Sequence, residues 1–335
     1  MEPKLITASR FNETQQRVAT ILGVGASNSG YGQLLQSNRA TSKTVITAEQ
    51  LNLLRRDMLA IYVHQTGEFD SFILPAFAGQ SSNSSPADLI TETDFLDYEN
   101  FSFQLLENRN NYEELISFVE NNVHQSSLSI FNNFTTFFKV LKNTRSQSWG
   151  GEAQPQTVFH EFRVIFDSAD QRRHFFNTGG QIRFEASLDG FFGNQPELDK
   201  FNSWQNLLND MGQIIFTGDK TIKTGTGQGS NLGNFSLTEQ DQLIFVRDGS
   251  GIYSENSYSI LARNVSSSVI SFTVRFNDGQ TSGAPGAPVS EYGLDVSVKG
   301  VLTSLVHHLR ATGTNFPGVS KVISPTPRYQ TVKNL

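Results

Sequence analysis

The stretch TVFHEFRVIFDSADQRRHFFNTGGQIRFEASLDG, residues 157–190, decides the fold class because the spacing of its apolar residues changes within it. Its first part alternates with period two, and this predicts a strand with one buried face, formed by Val158, His160, Phe162, Val164 and Phe166. The segment SADQRRHFF predicts a short helix. The turn NTGG then leads into a second half-buried strand, where Ile182, Phe184 and Ala186 alternate with polar residues. Strands and helices are therefore mixed in this half of the chain.

One longer helix and several strands are predicted downstream. The helix runs from about Pro196 to Met211 with its apolar residues on one side, and Gly212 ends it. Later strands are predicted at 242–247, 257–263 and 268–276, with a turn signal at 277–279. The pattern of residues 292–310 fits either a strand pair or a strand followed by a helix.

The sequence upstream has helical spacing instead. A first helix is expected from the N-cap Ser9 to Gly23. A second has the capping-box pair Thr47 and Gln50 and ends at Gly67. Further helices are expected at about 111–123 and within 130–141.

These patterns predict an α+β fold. We expect an N-terminal helical region with a glycine-rich loop over residues 1–145, followed by a mixed domain over 155–335. That domain would contain a mainly antiparallel sheet with two interleaved helices. The last residues, 324–335, have no apolar period and are expected to form an arm that orders only on a partner.

Composition excludes several classes of function. The chain has 335 residues, a net charge of −6 and no run of basic residues, so no nucleic-acid partner is expected. It has no Cys, and this excludes disulfides, thiolate nucleophiles, zinc knuckles and iron–sulfur clusters. No segment has the apolar length of a membrane span or the character of a signal peptide, so we expect no membrane insertion and synthesis in the cytoplasm.

The sequence gives only weak signals for catalytic, metal-binding or phosphate-binding residues. The adjacent His307 and His308 diverge in either a strand or a helix, so they would not chelate one metal. A catalytic grouping of His160 and His174 with nearby aspartates is conceivable, although a packed strand histidine explains the pattern better. The acidic group at 92–99 is interpreted as a solvated face, and the glycine-rich segment 220–233 lacks the ending of a phosphate loop. We predict no catalytic residue, no metal site and no cofactor.

Three stretches of the chain resemble a known family. The segment VITAEQLNLLRRDMLAIYVHQTG, residues 45–67, is similar to a helix signature of structural proteins of marine cyanophages and related tailed phages, with Leu51 where that signature usually has Trp. The loop LGVGASNSGYGQ, residues 22–33, resembles the glycine-rich loop of the same family. Residues 166–184, FDSADQRRHFFNTGGQIRF, resemble its third motif, and SWQNLLNDMGQIIF fits as well.

The resemblance implies a non-enzymatic virion structural protein of the tail, baseplate or fibre apparatus. Its partners would be other virion proteins and further copies of itself in a symmetric assembly. The residues that carry the resemblance are predicted as a structural motif: Gly30, Tyr31, Gly32, Asn52, Asp57, His64, Gln65, Gly67, Phe175, Phe176, Asn177, Gly179 and Gly180. Two alternatives stay open, a fibre module that binds host-surface polysaccharide and a tail-borne glycan hydrolase.

Overall fold

The computed structural model has an α+β fold, as the sequence predicts, with an N-terminal helical region and two antiparallel sheets. It describes residues 6–24, 30–43, 45–68, 74, 92–109, 115–117, 140–151, 154–279, 295–311, 316, 319, 323 and 326–335. Two compact units are present, and each is assembled from separate stretches of the chain. Unit 1 contains residues 1–116, 168–180 and 310–326, and unit 2 contains 117–167, 181–309 and 327–335. The predicted division into 1–145 and 155–335 stays a prediction.

Unit 1 is built on three helices that pack on one another. They are α1 (Ala8–Leu22), α2 (Ala48–Thr66) and α3 (Glu92–Glu107). Their inward faces form one apolar core, in which Phe11, Leu54, Met58, Phe95 and Tyr98 are fully buried. Burial of such faces is the main driving force for packing helices of this length.

The ends of α2 follow the predicted signals. Thr47 accepts a hydrogen bond from the Gln50 amide, while the Gln50 side chain accepts one from the Thr47 amide, which completes the capping box. Gly67 ends the helix in the left-handed conformation, with φ of 75°. For α1, the predicted N-cap is wrong. Thr7 caps the helix, because Ser9 already lies inside the first turn and its hydroxyl bonds to Glu13.

Helix α3 was missed by the sequence analysis. The acidic residues at 92–99 belong to a helix whose other face is buried, and Glu99 forms a two-bond ion pair with Arg10 at 2.7 and 2.6 Å. The helix predicted at 111–123 is wrong over 115–117, which form strand β1; its remaining residues and most of 130–141 lie outside the described residues. Leu141, the last residue of that second segment, begins a strand.

Two antiparallel sheets form unit 2. The strands in the described residues are β1 Leu115–Ser117, β2 Leu141–Arg145, β3 Thr157–Ile165, β4 Gln181–Asp189, β5 Ile214–Phe216, β6 Thr221–Lys223, β7 Gln228–Gly229, β8 Gln242–Asp248, β9 Ser257–Ser266, β10 Val269–Asn277, β11 Val301–Ala311 and β12 Arg328–Lys333. The first sheet contains the order β11-β4-β5-β6, with β2 also paired to β11, and the second has the order β12-β3-β10-β9-β8-β7.

Phenylalanine rings join the two sheets. Phe162 on β3 and Phe272 on β10 lie within 6.1 and 5.2 Å of the Phe184 ring on β4, and Phe216 on β5 lies 5.2 Å from Phe272. Strand β3 alternates in burial along its whole length, as the period-two pattern predicts. Each sheet therefore turns an apolar face toward the other.

The remaining helices are α4 (Ala169–Asn177) in unit 1 and α5 (Gln195–Met211) in unit 2. Ser168 caps α4, and Gly212 ends α5. Helix α5 packs on β4, and the Gln205 side chain donates a hydrogen bond to the Leu188 carbonyl.

Two predictions about the C-terminal part, a helix within 292–310 and a free arm over 324–335, differ from the structure. Of the segment 292–310, residues 301–310 lie in the single strand β11, so a helix there is wrong. The expected free arm is also wrong over 328–333, because β12 pairs along β3 and buries Tyr329 completely. Tyr329 is the one buried residue of β12, and this explains why the strand shows no apolar period in the sequence.

Candidate functional site

The residues predicted as a structural motif all lie in unit 1, and the structure brings most of them together. Four separate stretches meet: the loop 30–33, the C-terminal end of α2, helix α4 with the turn that follows it, and the position of Phe316. We call the residues where they meet the motif junction, defined as Gly30, Tyr31, Gly32, Gln33, His64, Gln65, His174, Asn177 and Phe316.

The loop 30–33 closes the C-terminal end of α1. The backbone amides of Tyr31, Gly32 and Gln33 donate to the carbonyls of Ile21, Gly23 and Leu22, at 2.6, 2.8 and 2.8 Å. Carbonyls at a helix end have no partner inside the helix, so this loop satisfies groups that would otherwise be left unpaired. The glycine-rich motif therefore acts as a helix cap.

Glycine is required where the loop meets other backbone. A Cβ on Gly30 would lie 2.0 Å from the Gly23 carbonyl oxygen, so no side chain fits there. Gly32 has φ of 70°, and a Cβ on it would lie 2.8 Å from the Asp170 carbonyl oxygen at the start of α4. Asn177, at the other end of α4, donates its side-chain amide to the Gly30 carbonyl at 2.6 Å. The loop is thereby held to both ends of α4.

An aromatic cluster fills the centre of the junction. The His64 ring stacks on Phe316 at 4.2 Å and contacts the edge of Tyr31 at 4.9 Å. The His174 ring lies 5.3 Å from both His64 and Phe316. All four rings are almost completely buried, as is usual for packing elements rather than for rings that bind a solvent-borne ligand.

Polar groups of the junction bond mostly to backbone. The Tyr31 hydroxyl donates to the Arg109 carbonyl at 2.6 Å and accepts from the Gln65 amide at 3.0 Å. The same Gln65 nitrogen also donates to the Leu105 carbonyl at 3.0 Å. Tyr31 and Gln65 therefore fix the C-terminal end of α3 relative to α2.

A second bridge involves Gln33. Its side chain donates to the Ile323 carbonyl at 3.2 Å and accepts from the Ile323 amide at 2.8 Å. The Gln33 side chain thus satisfies both backbone polar groups of Ile323. The His174 Nδ1 atom also hydrogen-bonds the Ile323 carbonyl. With Nδ1 protonated, the imidazole is neutral and its Nε2 is an acceptor.

Burial keeps both imidazoles of the junction neutral. Desolvation lowers the pKa of His174 to about 4, against the opposing effect of its bond to Ile323, and the charge of Arg310 lowers it further. Desolvation also lowers the pKa of His64 well below its usual value, with a further contribution from His174. Within the described residues, neither Nε2 atom has a hydrogen-bond partner. Such rings are poor general bases near neutral pH.

The other predicted motif residues have separate positions. Asp57, fully buried on α2, accepts hydrogen bonds from the backbone amides of Gln36 and Ser37 at 2.9 and 2.8 Å, and burial raises its pKa. Asn52 lies half-buried on the same helix, and Gly67 ends it. Asp57 thus anchors the segment that follows the capping loop.

The last motif residues lie at the end of α4 and in the turn that follows it. The buried rings of Phe175 and Phe176 lie 4.8 Å apart and nearly perpendicular. Gly179 has φ of 78°, and a Cβ on Gly180 would lie 2.2 Å from the Phe175 carbonyl oxygen. Both glycines are therefore required by the turn.

Sequence reasoning missed several residues of the junction. Gln33 was quoted only within a motif, and Phe316 and the Ile323 backbone gave no signal because they lie in an aperiodic segment. The sequence suggests a catalytic grouping for His174, whereas in the structure its Nδ1 bonds the Ile323 carbonyl and lies 3.1 Å from the Gln33 amide nitrogen.

The remaining histidines considered in the sequence lie in unit 2. His160 on β3 bonds Ser304 on β11 at 2.9 Å. His307 faces Glu185 and Gln213, whereas His308 bonds the Tyr329 hydroxyl at 3.1 Å, so the adjacent pair has different partners. In the part of the chain that the structure describes, no group of three His, Asp or Glu residues is arranged to hold a metal ion.

Unit 2 also contains a polar cleft between α5 and the end of β8, with a volume of about 310 Å³. Its walls include Asp199, Asn202, Asn206, Asp210, Arg247 and Tyr253. The Arg247 Nε and the Tyr253 hydroxyl are buried and have no hydrogen-bond partner among the described residues. Burial, with nearby Asp199, Asp278 and Asp295, raises the pKa of Tyr253 to about 12, so its hydroxyl stays protonated.

Comparison of the chain with protein-family models, with curated proteins and with solved structures finds no match. Among the described residues, no helix has the length and apolar character needed to cross a bilayer.

Proposed function

We propose that the chain is a non-enzymatic structural protein of a tailed-phage virion, which assembles with tail, baseplate or fibre proteins and with further copies of itself. The proposal begins from the resemblance of three stretches to structural proteins of marine cyanophages. It locates the protein in the virion after synthesis in the host cytoplasm.

One observation carries the proposal: the residues on which the resemblance rests cap helices and join them to one another. Tyr31, Gly32 and Gln33 cap α1, Gln65 joins α2 to α3, and Asn177 holds α4 to the loop. Their partners are backbone atoms of the same unit. Residues with these roles specify a fold, and this favours a structural family over a catalytic one.

Peptide mass spectrometry on gradient-purified particles of the encoding phage tests the proposal. We expect peptides of the chain in the particles, with a copy number that is a fixed fraction of the copy number of the major capsid protein. Recovery of the chain only from the soluble lysate, and not from particles, would contradict the proposal. A non-virion protein from the same lysate serves as the carry-over control.

The polar cleft of unit 2 favours one second candidate, binding of host-surface polysaccharide. Amide and carboxylate side chains, together with the unpartnered Arg247 Nε and Tyr253 hydroxyl, suit the many hydroxyl groups of a sugar. Calorimetry of the purified chain against host polysaccharide would detect the interaction. If the cleft is the site, Tyr253→Phe weakens it, whereas an unchanged affinity would reject the cleft.

A further inference from the structure

A lysine and two aspartates form a completely buried cluster in unit 2, separate from the motif junction. The Lys200 Nζ on α5 lies 2.6 Å from the Asp278 Oδ2, just after β10. It also lies 2.9 and 3.0 Å from the two carboxylate oxygens of Asp295, and it donates to the Val296 carbonyl at 2.8 Å. The side chains of Lys200 and both aspartates are at most 1% exposed.

Two stacked tryptophan rings lie beside this cluster. The fully buried Trp204, one helical turn after Lys200, stacks edge-on against Trp149 at 4.6 Å. One ammonium and two carboxylates in such a setting carry an unbalanced charge, and removing charges from water is costly even when they are paired. Desolvation accordingly raises the pKa of Asp278, although Lys200 opposes this effect.

The Asp278 carboxyl group is bounded by hydrogen-bond donors. Its Oδ2 accepts from the Gly151 amide at 3.2 Å, and its Oδ1 lies 3.5 Å from the Trp204 Nε1. A Cβ on Gly150 would lie 2.2 Å from Oδ2, so glycine is what lets the backbone approach the carboxyl group this closely. Donors fixed around a carboxyl carbon stabilise the oxyanion that forms when a nucleophile attacks it.

We propose that Lys200 and Asp278 form an isopeptide bond in the folded chain, with Asp295 transferring the proton. A cross-linked chain would carry a covalent connection between α5 and the end of β10. This inference rests on the geometry of unit 2 and does not depend on the proposed virion function.

The reaction is a condensation that needs no oxidant or co-reactant. The first proton of the Lys200 ammonium passes through Asp295 to Asp278, and the free amine then attacks Cγ of the neutral Asp278 carboxyl group. The Trp204 Nε1 stabilises the oxyanion that forms on Oδ1. The C–N bond forms and the C–Oδ2 bond breaks as Asp295 takes the second proton from the nitrogen and passes it to the leaving hydroxyl. The products are one amide and one water molecule, Asp295 is again a carboxylate, and the net charge is unchanged.

The fold places the two reacting groups next to each other. The Lys200 Nζ lies 2.6 Å from the Asp278 Oδ2, so the amine is already held against the carboxyl group that it attacks. Burial excludes bulk water and thereby opposes hydrolysis of the product. Condensation also removes one positive and one negative charge from an apolar interior.

Intact mass spectrometry of the purified full chain under denaturing conditions is the first measurement. We expect a mass lower than that of the unmodified chain by one water molecule. Lys200→Met and Asp278→Ala should each restore the full mass calculated for that variant. Lys299→Met is the matched control, because Lys299 forms a partly exposed ion pair with Glu197 and its loss should leave the water deficit unchanged. A wild-type chain with the full sequence mass would overturn the proposal, even if the variants fail to fold.

Peptide mapping then assigns the bond. Trypsin does not cleave after an acylated lysine, so a branched peptide should join residues 184–220 to residues 276–299. That second peptide contains both aspartates, and cleavage after Glu291 by a glutamyl endopeptidase separates them. Attachment to the Asp278 fragment supports the assignment, and attachment to the Asp295 fragment contradicts it. Asp295→Asn should retain the full mass; a water deficit in that variant would contradict proton transfer by Asp295.

Discussion

Acidification should destabilise unit 2 through its buried histidines. Desolvation lowers the pKa of His160 to about 4, and desolvation together with Arg183 lowers the pKa of His307 to about 4. Glu185 lies 3.5 Å from His307 and would favour the charged ring, but Glu185 is largely exposed, so desolvation dominates. Both rings are therefore neutral in the folded chain at pH 5.

The direction of this change in stability with pH follows from proton uptake by the unfolded chain. An exposed histidine titrates near 6.5, so below that pH the unfolded state binds protons that the folded state does not. The stabilisation is complete above about pH 6.5 and is lost as the pH falls toward about 4. At pH 5 each ring has lost about 2 kcal/mol of stabilisation relative to neutral pH, or about 4 kcal/mol for the pair. In a chain without the isopeptide bond, Asp278 has the opposite effect on stability. Burial raises its pKa, so the folded state binds its proton first and gains stability as the pH falls.

Tryptophan fluorescence can measure this effect in unit 2 alone. The chain has two tryptophans, Trp149 and Trp204, and both belong to that unit. We expect the urea midpoint of the fluorescence transition to fall steadily between pH 7 and pH 5. A midpoint that does not change with pH would refute the assignment of neutral buried imidazoles.

A matched variant separates these histidines from other acid effects. His307→Gln removes one of the two rings whose pKa burial lowers to about 4, so about half of the pH dependence that these two rings cause should disappear while the transition remains cooperative. If the variant keeps the full dependence, His307 does not contribute, and the loss must come from other groups.

Two further predictions concern the motif residues of unit 1, and thermal and urea unfolding followed by circular dichroism measures both. Gly180→Val should cost about 3 kcal/mol or more, because its Cβ would lie 2.2 Å from the Phe175 carbonyl oxygen; an unchanged melting temperature would refute the steric argument. Asp57→Asn should cost about 2 kcal/mol, because an amide accepts through one oxygen only and leaves either the Gln36 or the Ser37 amide unpaired; a neutral result would contradict this anchoring role.

Much of the fold could be predicted because its signals are local. Alternation in β3 and β4 shows directly in the sequence, since side chains of a strand point to opposite faces. The capping box of α2 is equally local, because Thr47 and Gln50 are three residues apart. In α3, acidic residues obscured the apolar face, although acidic residues in a first turn favour a helix N-terminus.

Most residues of the motif junction could be listed from the sequence, but their arrangement could not be predicted from it. Gln33 and Ile323 pair across 290 residues, and no periodicity relates two such positions. The same holds for Asn177, whose partner is a backbone carbonyl of a distant loop. Motif resemblance supplied the residue identities, whereas the roles of these residues as helix caps and bridges became clear only from their contacts.

The buried cluster of unit 2 shows where sequence reasoning fails most completely. Lysine and aspartate in polar surroundings are normally solvated, so Lys200, Asp278 and Asp295 gave no signal at all. Only the fold brings them together, and it does so in an interior where an ion triad is a poor source of stability. A covalent bond resolves that difficulty, because condensation removes two of the three charges. The bond would also reduce the number of conformations that the unfolded chain can adopt. Part of the gain in stability would therefore come from the unfolded state, as with other covalent cross-links.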